Sequence, residues 1–127
     1  MAKSINALMI EALEKQGLPG ADFEVVRYSA DSSEQKLAEM AAYVAAVLDT
    51  EDEEENPFDP LEMKVYRADD ESFIADVLIT CGGPTVTVRY ESTTGKATVK
   101  YHWIHDYLEV SNENTILTSM IADMAAC

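Results

Sequence analysis

The sequence predicts an α+β domain: an antiparallel sheet of four to five strands with three helices packed against it. Apolar residues recur at helical spacing in three separate segments. Between the second and third of these the period switches to two over four consecutive runs, and turn residues separate the runs. Helices set apart from a block of adjacent strands point to α+β rather than to a parallel α/β arrangement. With 127 residues, 47% of them apolar, the chain has the size of one domain spanning 1–127 and enough apolar mass for one core.

Residues 4–16 place Ile5, Leu8, Met9, Ala12 and Leu13 on one helical stripe, and Gly17 and Pro19 stop the helix. Phe23 to Ser29 carries Phe23, Val25, Val26 and Tyr28 and reads as a short strand. Asp31 or Ser32 then caps a second helix, in which Leu37, Met40, Ala41, Val44 and Leu48 repeat at helical spacing. From about 49 to 60 acidic residues and two prolines end that pattern, and the segment is expected to be a loop. Met63 to Arg67, Phe73 to Ile79, Val86 to Tyr90 and Ala97 to Trp103 alternate as four strands of a meander. Their breaks fall at Asp69-Asp70-Glu71, Gly82-Gly83-Pro84 and Thr94-Gly95. A third helix is expected from Asn112 to Ala126, capped by Ser111 or Asn112, with a stripe of Ile116, Leu117, Met120, Ile121 and Met124.

Charge is the most informative property. The chain carries 24 acids against 9 bases, a net −15. Residues 1–30 hold four acids and three bases, residues 31–76 hold fifteen and three, and residues 77–127 hold five and three. The middle third thus supplies −12 of the total. Such an excess excludes direct nucleic-acid binding, which needs clustered lysine and arginine. It suits a face that attracts a positively charged protein. The residues expected to form that face are Glu34, Glu39 and Asp49 of the second helix, then Glu51, Asp52, Glu53, Glu54, Glu55 and Asp59 of the loop. Glu62, Asp69, Asp70 and Glu71 continue it where the fold brings them alongside. The competing reading makes the acidic loop a solubiliser, in a protein–protein or homodimeric assembly module that docks through the sheet and the Met120–Met124 stripe.

No motif of catalysis or cofactor binding stands out. Asp49 to Glu55 lacks the Asp-x-Asp-x-Asp-Gly register of a calcium loop. His102-Trp103-Ile104-His105-Asp106 places its two imidazoles on opposite faces of a strand, without the ligands to complete a zinc site; His102 is expected on the polar face and His105 in an exit loop. Gly82-Gly83-Pro84 leads into a strand instead of the helix N-terminus that a phosphate cradle requires, and is expected to be a tight turn or bulge with positive φ. Cys81 is expected to be a buried small thiol. No catalytic residue, metal or cofactor is therefore expected, and the chain is expected not to be an enzyme.

Val77-Leu78-Ile79-Thr80-Cys81-Gly82-Gly83-Pro84-Thr85-Val86-Thr87-Val88, followed by Lys100-Tyr101-His102-Trp103, resembles a Gly-Gly-Pro strand pair of small accessory proteins from phages and other mobile elements. The pair covers about a quarter of the chain. The resemblance implies a protein that disables host defence, such as an anti-CRISPR or anti-restriction DNA mimic, and transfers no functional residue. It implies blockage of the basic nucleic-acid-binding groove of a host protein. The start Met1-Ala2-Lys3-Ser4 runs into a helical pattern with Glu11 and Glu14, no apolar run reaches membrane-spanning length, and the two cysteines lack framework spacing. A cytoplasmic protein with neither leader nor membrane span is expected.

Overall fold

The computed structural model describes residues 4–15, 22–49, 61–113 and 116–126. In chain order the elements are α1 (Ile5–Lys15), β1 (Asp22–Tyr28), α2 (Glu34–Asp49), β2 (Glu62–Arg67), β3 (Phe73–Thr80), β4 (Thr85–Glu91), β5 (Lys96–Trp103), β6 (Asp106–Glu113) and α3 (Ile116–Ala126). The α+β class holds, with three helices and one antiparallel sheet, but the sheet has six strands rather than four or five. Its order is β1-β6-β5-β4-β3-β2. Strands β2 to β6 form a meander, and β1 closes the far edge against β6.

The helices share one face of the sheet. α2 lies over β6 and β5, α3 over β4 and β5, and α1 packs on α2 beside β1. The strand period of two explains this layering. Ala75, Val77 and Ile79, then Val86, Val88 and Tyr90, then Ala97, Val99 and Tyr101, then Leu108 and Val110 all point into the core beneath the helices. The predicted stripes meet them: Ile5, Leu8, Met9, Ala12 and Leu13 of α1, and Leu37, Met40, Ala41, Val44 and Leu48 of α2, are all buried. Tyr43 of α2 meets Tyr101 edge-on with ring centroids 5.6 Å apart. Burial, and then the neighbouring Tyr101, pushes its phenol above the ordinary tyrosine range.

Several local expectations need correction. The cap of α2 is Ser33, whose Oγ accepts from the Lys36 amide at 3.1 Å, not Asp31 or Ser32. Ser32 instead donates its hydroxyl to the Asp106 carboxylate and ties the start of α2 to β6. Ser111 and Asn112 belong to β6 and do not cap α3. Asn112 occupies an inward position of the alternation, and its buried amide donates to the Ala97 carbonyl at 2.9 Å. Cys81 is exposed beside the β3–β4 turn rather than buried. That turn does use positive φ, at Gly82 (114°). A Cβ on Gly83 would stand 3.4 Å from the Trp103 indole nitrogen, so the second glycine leaves room for that ring.

His105 lies in the two-residue turn between β5 and β6, not in an exit loop. Its neighbour Ile104 has φ 60° and is 71% exposed, at a position that primed hairpin turns reserve for glycine or asparagine. Left-handed backbone costs a Cβ-bearing residue about 1–2 kcal/mol. Glycine's extra freedom in the unfolded chain gives back only about 0.5–1 kcal/mol of that relief. Ile104→Gly should therefore raise the melting temperature by a few degrees in a circular dichroism melt. A fall would mean that the isoleucine side chain makes contacts worth more than the strain.

Candidate functional site

The sheet face opposite the helices is uncovered among the described residues, and charged and polar side chains stand on it together with Ile74 and Leu78 of β3 and the rings of Tyr66 and Tyr107. Five of the chain's nine bases stand on it, each beside a carboxylate. Arg89 Nε lies 2.8 Å from Asp76 Oδ1 and its Nη2 donates to Oδ2 at 3.1 Å, a two-pronged bond between directly opposed residues of β4 and β3. This bond, with the adjacent negative charge, holds the Arg89 guanidinium ionised further above its ordinary range. Lys100 and Glu109 are likewise opposite each other, with 3.8 Å between charged atoms, and Arg27 approaches the same Glu109 at 3.4 Å. Lys64 pairs with Glu62 at 3.5 Å, and Lys96 with Glu113 at 3.5 Å. A shallow groove of about 440 Å³ runs across this face, lined by Lys64, Tyr66, Asp76, Arg89, Thr98 and Lys100.

Exposed ion pairs of this kind add little to stability. Their effect is to cancel charge. Among the described side chains, the face's acids are Glu24, Glu62, Asp76, Glu91, Glu109 and Glu113 and its bases Arg27, Lys64, Arg89, Lys96 and Lys100, a net −1. The other eighteen acids and four bases of the sequence sum to −14. Two of those four bases are engaged. Lys36 stands over the Trp103 ring, 4.2 Å from its centroid, and 3.9 Å from Glu39, while Arg67 donates to the Ala125 carbonyl on α3 and lies over the Phe73 ring.

The predicted acidic residues divide into four groups. Glu34 and Glu39 are exposed on α2, and Asp49 closes that helix. Asp69, Asp70 and Glu71 are exposed in the β2–β3 turn. Glu51, Asp52, Glu53, Glu54, Glu55 and Asp59 lie outside the described residues. Glu62 does not join the acidic line: it points to the neutral sheet face and pairs with Lys64. Nor do Glu34 and the turn sit side by side. Ser32 and Lys36 fix the start of α2 to the Trp103–Asp106 end of the sheet, whereas Asp69 to Glu71 sit at the Glu91–Lys96 end. The β4–β5 ladder separates the two ends by about 20 Å, at some 3.4 Å per residue. Within the turn, the Ser72 hydroxyl and amide donate to Asp70 and hold its carboxyl below the ordinary carboxylate range, so Asp70 stays ionised in mild acid.

The residues weighed for chemistry do not converge. His102 stands on the open face opposite Tyr107 of β6, His105 is exposed in the turn, and Cys81 is exposed at the end of β3. Among the described residues no group of three His, Cys, Asp or Glu is placed to hold a metal ion, and no helix is long and apolar enough to cross a membrane. The cross-strand charge pairs escaped the sequence reading, although the outward series Arg89, Lys96, Lys100 signalled them. Recognising β6 would have set Glu109 and Glu113 opposite Lys100 and beside Lys96. Compared with known protein families, with curated proteins and with solved structures, the chain has no match.

Proposed function

We propose that this chain is a non-catalytic acidic binding protein that occupies the basic, nucleic-acid-binding groove of a host protein, of the kind that serves in host defence. The observation that supports it is the contrast in charge: the bases of the open sheet face are spent on their own carboxylates, while the whole chain carries a net −15. A groove built to hold phosphates responds first to charge density and spacing, and carboxylates on a folded scaffold supply both. The docking surface then includes the exposed Glu34 and Glu39 of α2, and the acidic residues of 49–59 supply the densest run of carboxylates in the sequence. Such binding is steered over long range and weakens as salt screens it.

Competition with DNA tests the proposal. The immobilised protein, incubated with a host-cell extract, should retain basic nucleic-acid-binding proteins, and excess duplex DNA or raised salt should release them. Proteins that stay bound in the presence of DNA, or that are indifferent to salt, would point to contacts of another kind.

A further inference from the structure

The two edges of the sheet differ in a way that follows from the backbone. On β1 the register shifts between Val25 and Arg27, a bulge that disrupts further pairing. On β2 the register with β3 is unbroken over six pairs, from Glu62↔Leu78 to Arg67↔Phe73. The Ala68 amide donates to the Ser72 carbonyl, so the hydrogen-bonded positions of β2 are the even ones: Tyr66, Lys64 and Glu62. Met63, Val65 and Arg67 therefore turn their N–H and C=O groups outward, and no strand pairs with them among the described residues. Their side chains lie on the helix side. There α3 covers β4 and β5 rather than β2, while the Arg67–Ala125 contact places the end of α3 beside β2. Met63 is half-buried there and Val65 is exposed (36%), and Met124 in the last turn of α3 is exposed as well (38%).

We propose that β2 pairs antiparallel with β2 of a second copy of this chain, about a two-fold axis through Val65, to make one continuous sheet across the dimer. An isologous pair must match outward backbone groups with outward groups, and of the registers that do so those centred on Lys64 and on Val65 pair the most of β2, five residues of Glu62–Arg67 each. The register centred on Lys64 sets two ammonium side chains directly opposite each other, which is destabilising. The register centred on Val65 sets valine against valine and Met63 against Arg67 of the partner subunit. It also lays Lys64 beside Tyr66 of the partner subunit, with Glu62 still within reach of Lys64. Between these two longest registers, Lys64 disfavours its own and leaves the one centred on Val65. The same docking sets the Met63 and Val65 side chains of both copies on one face of the continuous sheet. Two bodies of −15 each repel, so added salt strengthens this association, the reverse of its effect on a basic partner.

Sedimentation equilibrium over a wide concentration range, at low and high salt, reads the dimer directly. The expected result is a reversible dimer that tightens with salt. Val65→Pro removes an N–H that β3 does not use, so it should weaken dimerisation at least tenfold while preserving the circular dichroism spectrum. Val65→Cys in a Cys81→Ser, Cys127→Ser background gives a readout independent of that proline: mild oxidation should cross-link it, since opposed residues of such a pair have Cα atoms about 5.5 Å apart. Lys64→Cys in the same background should not cross-link. A protein that stays monomeric at every concentration overturns the proposal and leaves the edge to a foreign strand or to solvent. So does a dimer that Val65→Pro leaves intact, or one that cross-links through position 64 instead of 65.

Discussion

Leu108→Ala is expected to lower stability by about 2–5 kcal/mol, the cost of deleting a fully buried leucine and leaving a cavity. Leu108 is 0% exposed and sits on β6, the strand that lies beneath α2 and joins β1 to the meander. Against a total stability of about 5–15 kcal/mol for a domain this size, the loss removes a large share of the folding free energy. The melting temperature should fall by about 10–20 °C. Tyr107, its neighbour on the same strand, faces the open side and is partly exposed. Tyr107→Ala should cost less than about 1 kcal/mol, the scale of a cross-strand pair. Urea titrations of the two variants measure the contrast. Equal losses would show that β6 does not present one side to the core and the other to solvent.

β6 is also where sequence reading fell short. The inward positions of the strand are Leu108, Val110 and Asn112, and the last of these breaks the apolar series with a residue that also favours helix caps. Asn112 is accommodated in the core because its amide reaches the Ala97 carbonyl, a partner fifteen residues away that only the folded sheet supplies. Ile104 hid the hairpin in a second way, since isoleucine is the wrong residue for a left-handed turn position and signals no turn. The helices were legible because their stripes depend only on local periodicity, and all ten of the α1 and α2 stripe residues named from the sequence are buried. Charge counts along the chain were legible too, but their placement was not. Whether Glu62 joins an acidic line or a neutral face depends on which side of β2 it occupies, and that is settled by Met63 packing against the core.

Reversing Glu53, Glu54 and Glu55 to lysine should weaken binding of the DNA-displaceable partner by at least about 100-fold. Each lost carboxylate–cation contact is worth about 0.5–1 kcal/mol, each new like-charge contact costs a similar amount, and each 1.4 kcal/mol is tenfold in affinity. The three changes, at two charges each, move the net charge from −15 to −9, so self-repulsion falls and the melting temperature should hold or rise. Loss of binding would then not be loss of fold. The decisive control applies the same six-charge change elsewhere, by reversing Glu62, Glu109 and Glu113 on the open sheet face. There the bases Lys64, Lys100 and Lys96 lose their partners and the face becomes basic, but the helix-side acids are untouched. If the acidic segment carries the contact, only the first variant loses the partner in a salt-dependent titration. If both lose it equally, the partner responds to net charge alone, and no docking side can be assigned to the helix layer.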